Sequence, residues 1–92
     1  MKVAVIGGGS TYTPELVEGF GLRQGVLPVE ELVLHDIDQH RLDVVGGLAE
    51  RILRKLEFPG RLTTTTDREA AIEGADFVLV QLRVGAGLGA GV

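Results

Sequence analysis

Three consecutive glycines, Gly7-Gly8-Gly9, stand between an apolar run and a segment opened by proline, and no other stretch limits the fold so tightly. Ahead of them, Val3 to Ile6 is short, unbroken and mostly β-branched, the composition of a strand buried on both faces of a parallel sheet. Behind them, Thr13 suits a helix cap, Pro14 the first turn, and Glu15 the positive end of the helix dipole. Strand, glycine turn and helix start, in that order, form the arrangement that brings a pyrophosphate to a helix N-terminus. One glycine permits the tight turn, another lets the backbone approach the ligand, and nearby amides meet its negative charge. Gly7 and Gly9 satisfy the G-x-G spacing, but Tyr12 holds the third motif position in place of Gly or Ala. That departure implies looser packing of helix on strand, or another task for Tyr12. The competing reading is an ordinary strand-to-helix turn, which glycines also mark.

The rest of the chain extends the same pattern. Pro14 to Gln24 reads as a helix with Leu16, Val17 and Phe20 inward. Gly19 and Gly21 weaken it by about 1 kcal/mol each relative to Ala and permit close packing on the sheet. Glu31 to Ile37 is a second strand with Asp36 at its end. In a βαβ unit a carboxylate at that place can accept hydrogen bonds from the adenosine ribose hydroxyls and repels a 2′-phosphate, which favours NAD over NADP. The alternative role for Asp36 is a helix N-cap, for which Asp38 competes.

Asp38 to Leu56 is the strongest helix, with Leu42, Val45, Leu48, Ala49, Ile52, Leu53 and Leu56 at helical spacing. Arg41, Glu50, Arg51, Arg54 and Lys55 read as its solvated face, with Arg41 a lesser candidate for the adenosine end of a cofactor. Leu62 to Thr66 is a polar, β-branched strand placed nearer an edge. Asp67 caps a short helix, Arg68 to Glu73, which Gly74 ends. Phe77 to Leu82 is a fourth strand, again a continuous apolar run, with Gln81 and Arg83 at the edge where open α/β sheets bind ligands. The order β-α-β-α-β-α-β predicts an α/β fold: a Rossmann-like doubly wound parallel sheet of about four strands over residues 1–85. Residues 86–92 read as a Gly/Ala-rich flexible tail.

Composition narrows the partners. A hydrophobic content of 45% supplies a core, and 4% aromatic residues require that core to be aliphatic. The net charge of −4 argues against nucleic acid and anionic membrane. No cysteine is present, so neither a disulfide framework nor a thiolate metal site is expected. No apolar run approaches the ~20 residues of a membrane span, and a cytoplasmic location is the default expectation.

Taken together, Gly7-Gly8-Gly9-Ser10-Thr11-Tyr12-Thr13-Pro14-Glu15-Leu16, Asp36-Ile37-Asp38, Thr66-Asp67, Gly74-Ala75-Asp76-Phe77-Val78 and Gln81-Leu82-Arg83-Val84-Gly85 resemble the N-terminus of the family 4 glycoside hydrolases, NAD- and divalent-metal-dependent phosphoglycosidases. Within the family, Tyr12 to Leu16 and Asp36-Ile37-Asp38 look more like the 6-phospho-β-glucosidase branch than the α-specific one. The resemblance implies glycoside cleavage by oxidation at sugar C3, loss of the C2 proton, elimination, addition of water and return of the hydride, an exception to the two-carboxylate scheme. It implies NAD as cofactor and a Mn²⁺-type ion in the full-length enzyme, a phosphorylated glycoside as substrate, and a homo-oligomeric assembly.

By position, Gly7, Gly9, Ser10 and Thr11 would hold the pyrophosphate, Asp36 the ribose, and Thr66 and Asp67 the adenine side. Arg83 would meet the sugar phosphate, with a surface ion pair as its alternative. The family's metal ligands and catalytic tyrosine lie beyond this chain, so no catalytic residue is expected in it and no activity from it alone. His35 and His40 match none of the ligand positions, and His35 is expected to be packed in its strand. Two other readings use the same glycines and Asp36: a fragment of a lactate/malate-type dehydrogenase, and a standalone nucleotide-binding module.

Overall fold

The computed structural model describes residues 1–10 and 12–81, so Thr11, Arg83 and the 86–92 segment lie outside the described residues. Four strands, β1 (Lys2–Ile6), β2 (Glu31–His35), β3 (Arg61–Thr65) and β4 (Phe77–Val80), alternate with three helices, α1 (Thr13–Leu22), α2 (Gln39–Lys55) and α3 (Arg68–Ile72). All pairings are parallel and the sheet order is β3-β2-β1-β4. The chain runs outward from β1 through β2 to β3, then returns past its start to place β4 on the other side of β1. This is the expected doubly wound, Rossmann-like α/β sheet, and its strand order reverses at β1, where ligands of such sheets bind.

Strand alternation divides the side chains between two layers. Val3, Val5, Leu32 and Leu34 face α1 and α2, joining Val17, Leu42, Ala49 and Leu53 in one buried aliphatic cluster. Ala4 and Val33 are buried on the opposite side. There α3, whose Ala71 is fully buried, lies against β1, β2 and β3. Lys2 spans that layer, its Nζ donating to the Glu73 carbonyl at 2.6 Å.

Several expectations are refined. Leu48 is half-exposed although it falls on the apolar spacing of α2. Gly21 serves packing of α1 on α2 and not on the sheet: a Cβ there would sit 2.6 Å from Leu56 Cδ1 and 3.4 Å from Leu53 Cδ2. Thr13 is not the N-cap. Tyr12 holds that position, and the buried Thr13 hydroxyl donates to Gln81 Oε1 at 3.0 Å, fastening the start of α1 to the end of β4. The apolar run of β4 is exposed along its length, with Phe77 58% and Val80 61% accessible. Among the described residues β4 is an outer strand, so a composition suited to burial on both faces meets solvent instead. β3 lies at the opposite edge, as its polar composition predicts.

Candidate functional site

At the carboxyl ends of β1 and β2 the glycine triplet folds flat against its neighbour. Gly7 adopts φ +85°, a conformation that favours glycine. Its amide and that of Gly8 both donate to the His35 carbonyl, at 2.8 and 2.6 Å. A Cβ on Gly8 would lie 2.8 Å from Leu34 Cβ and 3.0 Å from Leu34 Cα. On Gly9 it would lie 2.8 Å from both Asp36 Oδ2 and Arg41 Cβ. The G-x-G spacing singles out Gly7 and Gly9, yet Gly8 is pressed against backbone too, that of Leu34 and His35, as Gly7 is against the Gln81 carbonyl, and only the unbroken triplet hints at it.

Hydrogen bonding within the loop departs from the sequence reading. The amide of Gly9 donates to Asp36 Oδ2 at 3.0 Å, and that of Ser10 to the Gly7 carbonyl at 3.1 Å. With Gly7 and Gly8 committed to His35, these four loop amides are satisfied inside the protein. Their contribution is therefore shape: they hold the turn low enough for a ligand backbone to lie over it. Ser10 organises the entry to α1, since its Oγ accepts from the Tyr12 amide at 3.2 Å and its carbonyl from the Thr13 amide at 3.1 Å. Tyr12 is 71% exposed and gives α1 no side-chain cap.

Asp36 is buried and is not a helix cap. Its Oδ2 accepts from Gly9, and its Oδ1 accepts from the Asp38 amide at 3.0 Å. Asp38 takes the capping role, accepting from the Arg41 amide at 3.1 Å. The residue thus ties the glycine loop to the start of α2 while facing the site.

A cavity of about 410 Å³ opens here. It is lined by Ile6 and Gly7 from β1 and its turn, His35 to Asp38 from the end of β2, Arg41, Arg68 and Gln81. The cavity therefore collects residues from the ends of three strands and the starts of two helices. Gln81 is joined to it by the Thr13 contact and by its own amide, which donates to the Ile6 carbonyl at 2.8 Å. Of the two residues expected on the adenine side, Thr66 is exposed and outside the lining. Asp67 caps α3, accepting from the amides of Glu69 and Ala70 at 3.0 and 3.3 Å. Arg68, which follows them, lines the cavity without having been singled out by any motif.

His35 is packed as expected, 5% exposed, and its Nδ1 is buried with no hydrogen-bond partner among the described residues. Among the described residues no group of three His, Cys, Asp or Glu side chains is placed to hold a metal ion. No helix among them is long and apolar enough to cross a membrane.

The glycine cradle and the buried carboxylate at the tip of β2 fit a dinucleotide, and comparison with known proteins points the same way. Residues 2–90 match the family described as family 4 glycosyl hydrolase. The chain is 51% identical over 87 residues to a probable 6-phospho-beta-glucosidase of Bacillus subtilis (strain 168), covering 92% of this chain and 20% of that protein. It is 48% identical to the 6-phospho-beta-glucosidase of Escherichia coli (strain K12), covering 92% of this chain and 19% of the relative. Among solved structures, the 6-phospho-beta glucosidase from Thermotoga maritima with NAD and glucose-6-phosphate superposes with a TM-score of 0.81 at 34% identity, over 94% of this chain and 20% of that one. The same enzyme has been solved with manganese, NAD⁺ and glucose-6-phosphate, with a TM-score of 0.79 at 32% identity and the same coverage. The chain thus spans about a fifth of the length of the relatives it matches.

Proposed function

Because this chain belongs to the family 4 glycosyl hydrolases, we propose that it is the dinucleotide-binding N-terminal portion of a 6-phospho-β-glucosidase. The observation that carries the cofactor part is the seating of Gly9 on the Asp36 carboxylate at 3.0 Å, at the rim of the cavity. The β-glucosidase part rests on identities of 51% and 48% to relatives carrying that name. The family match also weighs against the lactate/malate dehydrogenase reading.

In this reading the cofactor is NAD, which when bound supplies the acceptor and donor of a hydride at the sugar, beside a manganese-type ion held by residues beyond this chain. What the present residues do is bind and orient. Gly7, Gly8 and Gly9 keep the turn flush so that a pyrophosphate passes over it, with Ser10 and Thr11 offering hydroxyls. Asp36 accepts from the ribose hydroxyls and sets its charge against a 2′-phosphate, giving preference for NAD over NADP. Thr66 and Asp67 stand on the adenine side, although the carboxylate of Asp67 already caps α3. Arg83 contacts the sugar phosphate. The substrate is a phosphorylated β-glucoside, the assembled enzyme is a cytoplasmic homo-oligomer, and the chain alone is inactive because the catalytic residues lie outside it.

The test is calorimetric titration of the chain with NAD⁺ and NADP⁺, for the native sequence and Asp36→Asn. Saturable binding that prefers NAD⁺ and falls roughly 10- to 150-fold in the variant is expected, the loss of one charged hydrogen-bond acceptor being worth about 1.5–3 kcal/mol. A folded chain that binds neither nucleotide, or binds both equally with and without Asp36, sinks the proposal.

A further inference from the structure

We infer that the outward face of α1 is a self-association surface, on which a second copy of this chain docks about a two-fold axis at Gly19. The assignment rests on the homo-oligomeric part of the reading above and is independent of its cofactor part. It starts from a glycine with no internal reason to be small. At Gly21 a Cβ would lie 2.6 Å from Leu56 Cδ1, whereas at Gly19 it would meet only Arg23 Nη1, at 3.5 Å. A glycine inside a helix nevertheless costs about 1 kcal/mol relative to alanine. Its use is then external: it lets another backbone come close.

The residues around Gly19 are arranged symmetrically. Leu16 and Leu22 stand three places to either side of it, and Glu15 and Arg23 four places. At 1.5 Å per residue the two charged positions lie about 6 Å before and after the glycine along the axis. Glu15, Leu16, Gly19, Phe20, Arg23 and Leu27 line an apolar groove of about 260 Å³, and Leu22 beside it is 64% exposed. Neither Glu15 nor Arg23 has an ion pair among the described residues. The Arg23 guanidinium donates to the Gly19 carbonyl of its own helix at 3.3 Å. A second α1, antiparallel to the first and related by an axis through Gly19, sets Leu16 of each copy against Leu22 of the other. It likewise sets each Glu15 against the other copy's Arg23. One surface thus satisfies itself in shape and in charge, as an isologous contact requires. The dipole of α1 accounts for an acid at its start and a base at its end, but not for the glycine midway or the exposed leucine. β4 is exposed as well, yet its four apolar residues carry no charge that specifies what covers them.

The experiment measures the mass of the full chain in solution by analytical ultracentrifugation over a range of concentrations, for the native sequence, Glu15→Arg, Arg23→Glu and Gly19→Gln. Thermal unfolding of each variant controls for folding. Glu15 and Arg23 are exposed, and glutamine suits a helix better than glycine does. The native chain should dimerise at concentrations where each variant is monomeric. The charge reversals should raise the dissociation constant roughly tenfold or more, because each brings like charges together twice. Gly19→Gln should do the same by blocking the crossing. Mixing Glu15→Arg with Arg23→Glu should restore the dimer, since each protein then supplies the charge that the other lacks. A mixture that stays monomeric overturns the pairing and the proposal with it. A dimer that survives all three substitutions places the contact elsewhere, β4 included, and overturns the proposal while leaving self-association standing. A folded native chain that is monomeric at every concentration overturns both. Titration with NAD⁺ judges the cofactor reading separately from all of these outcomes.

Discussion

Substituting Gly8 by alanine isolates what the glycine triplet contributes to the fold. A methyl there would meet Leu34 Cβ at 2.8 Å, Leu34 Cα at 3.0 Å and the His35 amide nitrogen at 3.1 Å. Carbon atoms in contact prefer about 3.5–4.0 Å, so the loop must retreat by roughly 1 Å. Two of the three obstructing atoms are backbone, which no rotamer change can move. The retreat pulls on the hydrogen bonds that Gly7 and Gly8 make to the His35 carbonyl at 2.8 and 2.6 Å. Each contributes about 0.5–1.5 kcal/mol net, and overpacking of this kind costs about 1–3 kcal/mol. A loss of roughly 2–6 kcal/mol follows, a large part of the ~5–15 kcal/mol that holds a typical domain folded. Gly47, inside α2, is the matched control, since a Cβ there meets nothing within 4 Å. Alanine at that position should stabilise by about 0.5–1 kcal/mol through reduced chain entropy and better helix propensity. Urea unfolding followed by far-ultraviolet circular dichroism compares the two at equal m-value. Should Gly8→Ala fall within 0.5 kcal/mol of the native chain, the loop is not seated on β2 as described.

Two smaller effects can be checked on the same protein. The Met1 ammonium, 2.7 Å from Glu30 Oε1, holds the Glu30 carboxyl below the usual carboxylate range. A depressed folded pKa means that the pair's contribution is complete above the unfolded value of ~4.3 and is lost as pH falls through the lower folded one. Glu30→Gln should therefore lower stability slightly at pH 7, where the contribution is complete, and converge on the native chain at acid pH, so that the acid limb flattens, and added salt should mimic it; an identical acid limb would refute the pairing. Thr13→Val removes the donor to Gln81 Oε1 and should cost about 1 kcal/mol in urea unfolding. No loss would mean that the contact does not fasten β4 to α1.

What the sequence makes legible follows distance along the chain. β1, the triplet and the start of α1 are specified by adjacent residues, and Asp38 and Asp67 cap their helices as local rules require. Contacts between elements distant in sequence are not encoded that way. Gly21 reads as a helix-weakening residue, and only the packed structure reveals Leu56 across from it. Thr13 has the chemistry of a cap, but a partner in Gln81, 68 positions away, claims its hydroxyl. The apolar run of β4 reads as interior because composition cannot tell an outer strand from a central one. Arg68 looks like any surface arginine until the turn after β2 is brought beside it. The site divides likewise: Gly7, Gly9 and Asp36 are visible as a motif and Gln81 as a polar residue at the ligand-binding edge, while Gly8 and Arg68 emerge from tertiary proximity.

The central position of β1 carries a consequence for how the chain acquires its structure. The strand nearest the N-terminus is the one that β4 must find: the Lys2 amide donates to Asp76 Oδ2 at 2.7 Å, and the Asp76 amide to the Lys2 carbonyl at 2.8 Å. Local helix formation and the β1-α1-β2 unit can proceed as the chain lengthens. Closure at β4 instead requires a loop of more than seventy residues to be drawn shut before any contact rewards it. Such late, non-local pairing is the slow part of folding for sheets of this kind. Until it occurs, the edge of β1 that later pairs with β4 is unprotected. The cavity can be complete only afterwards, because Gln81 joins its lining through β4.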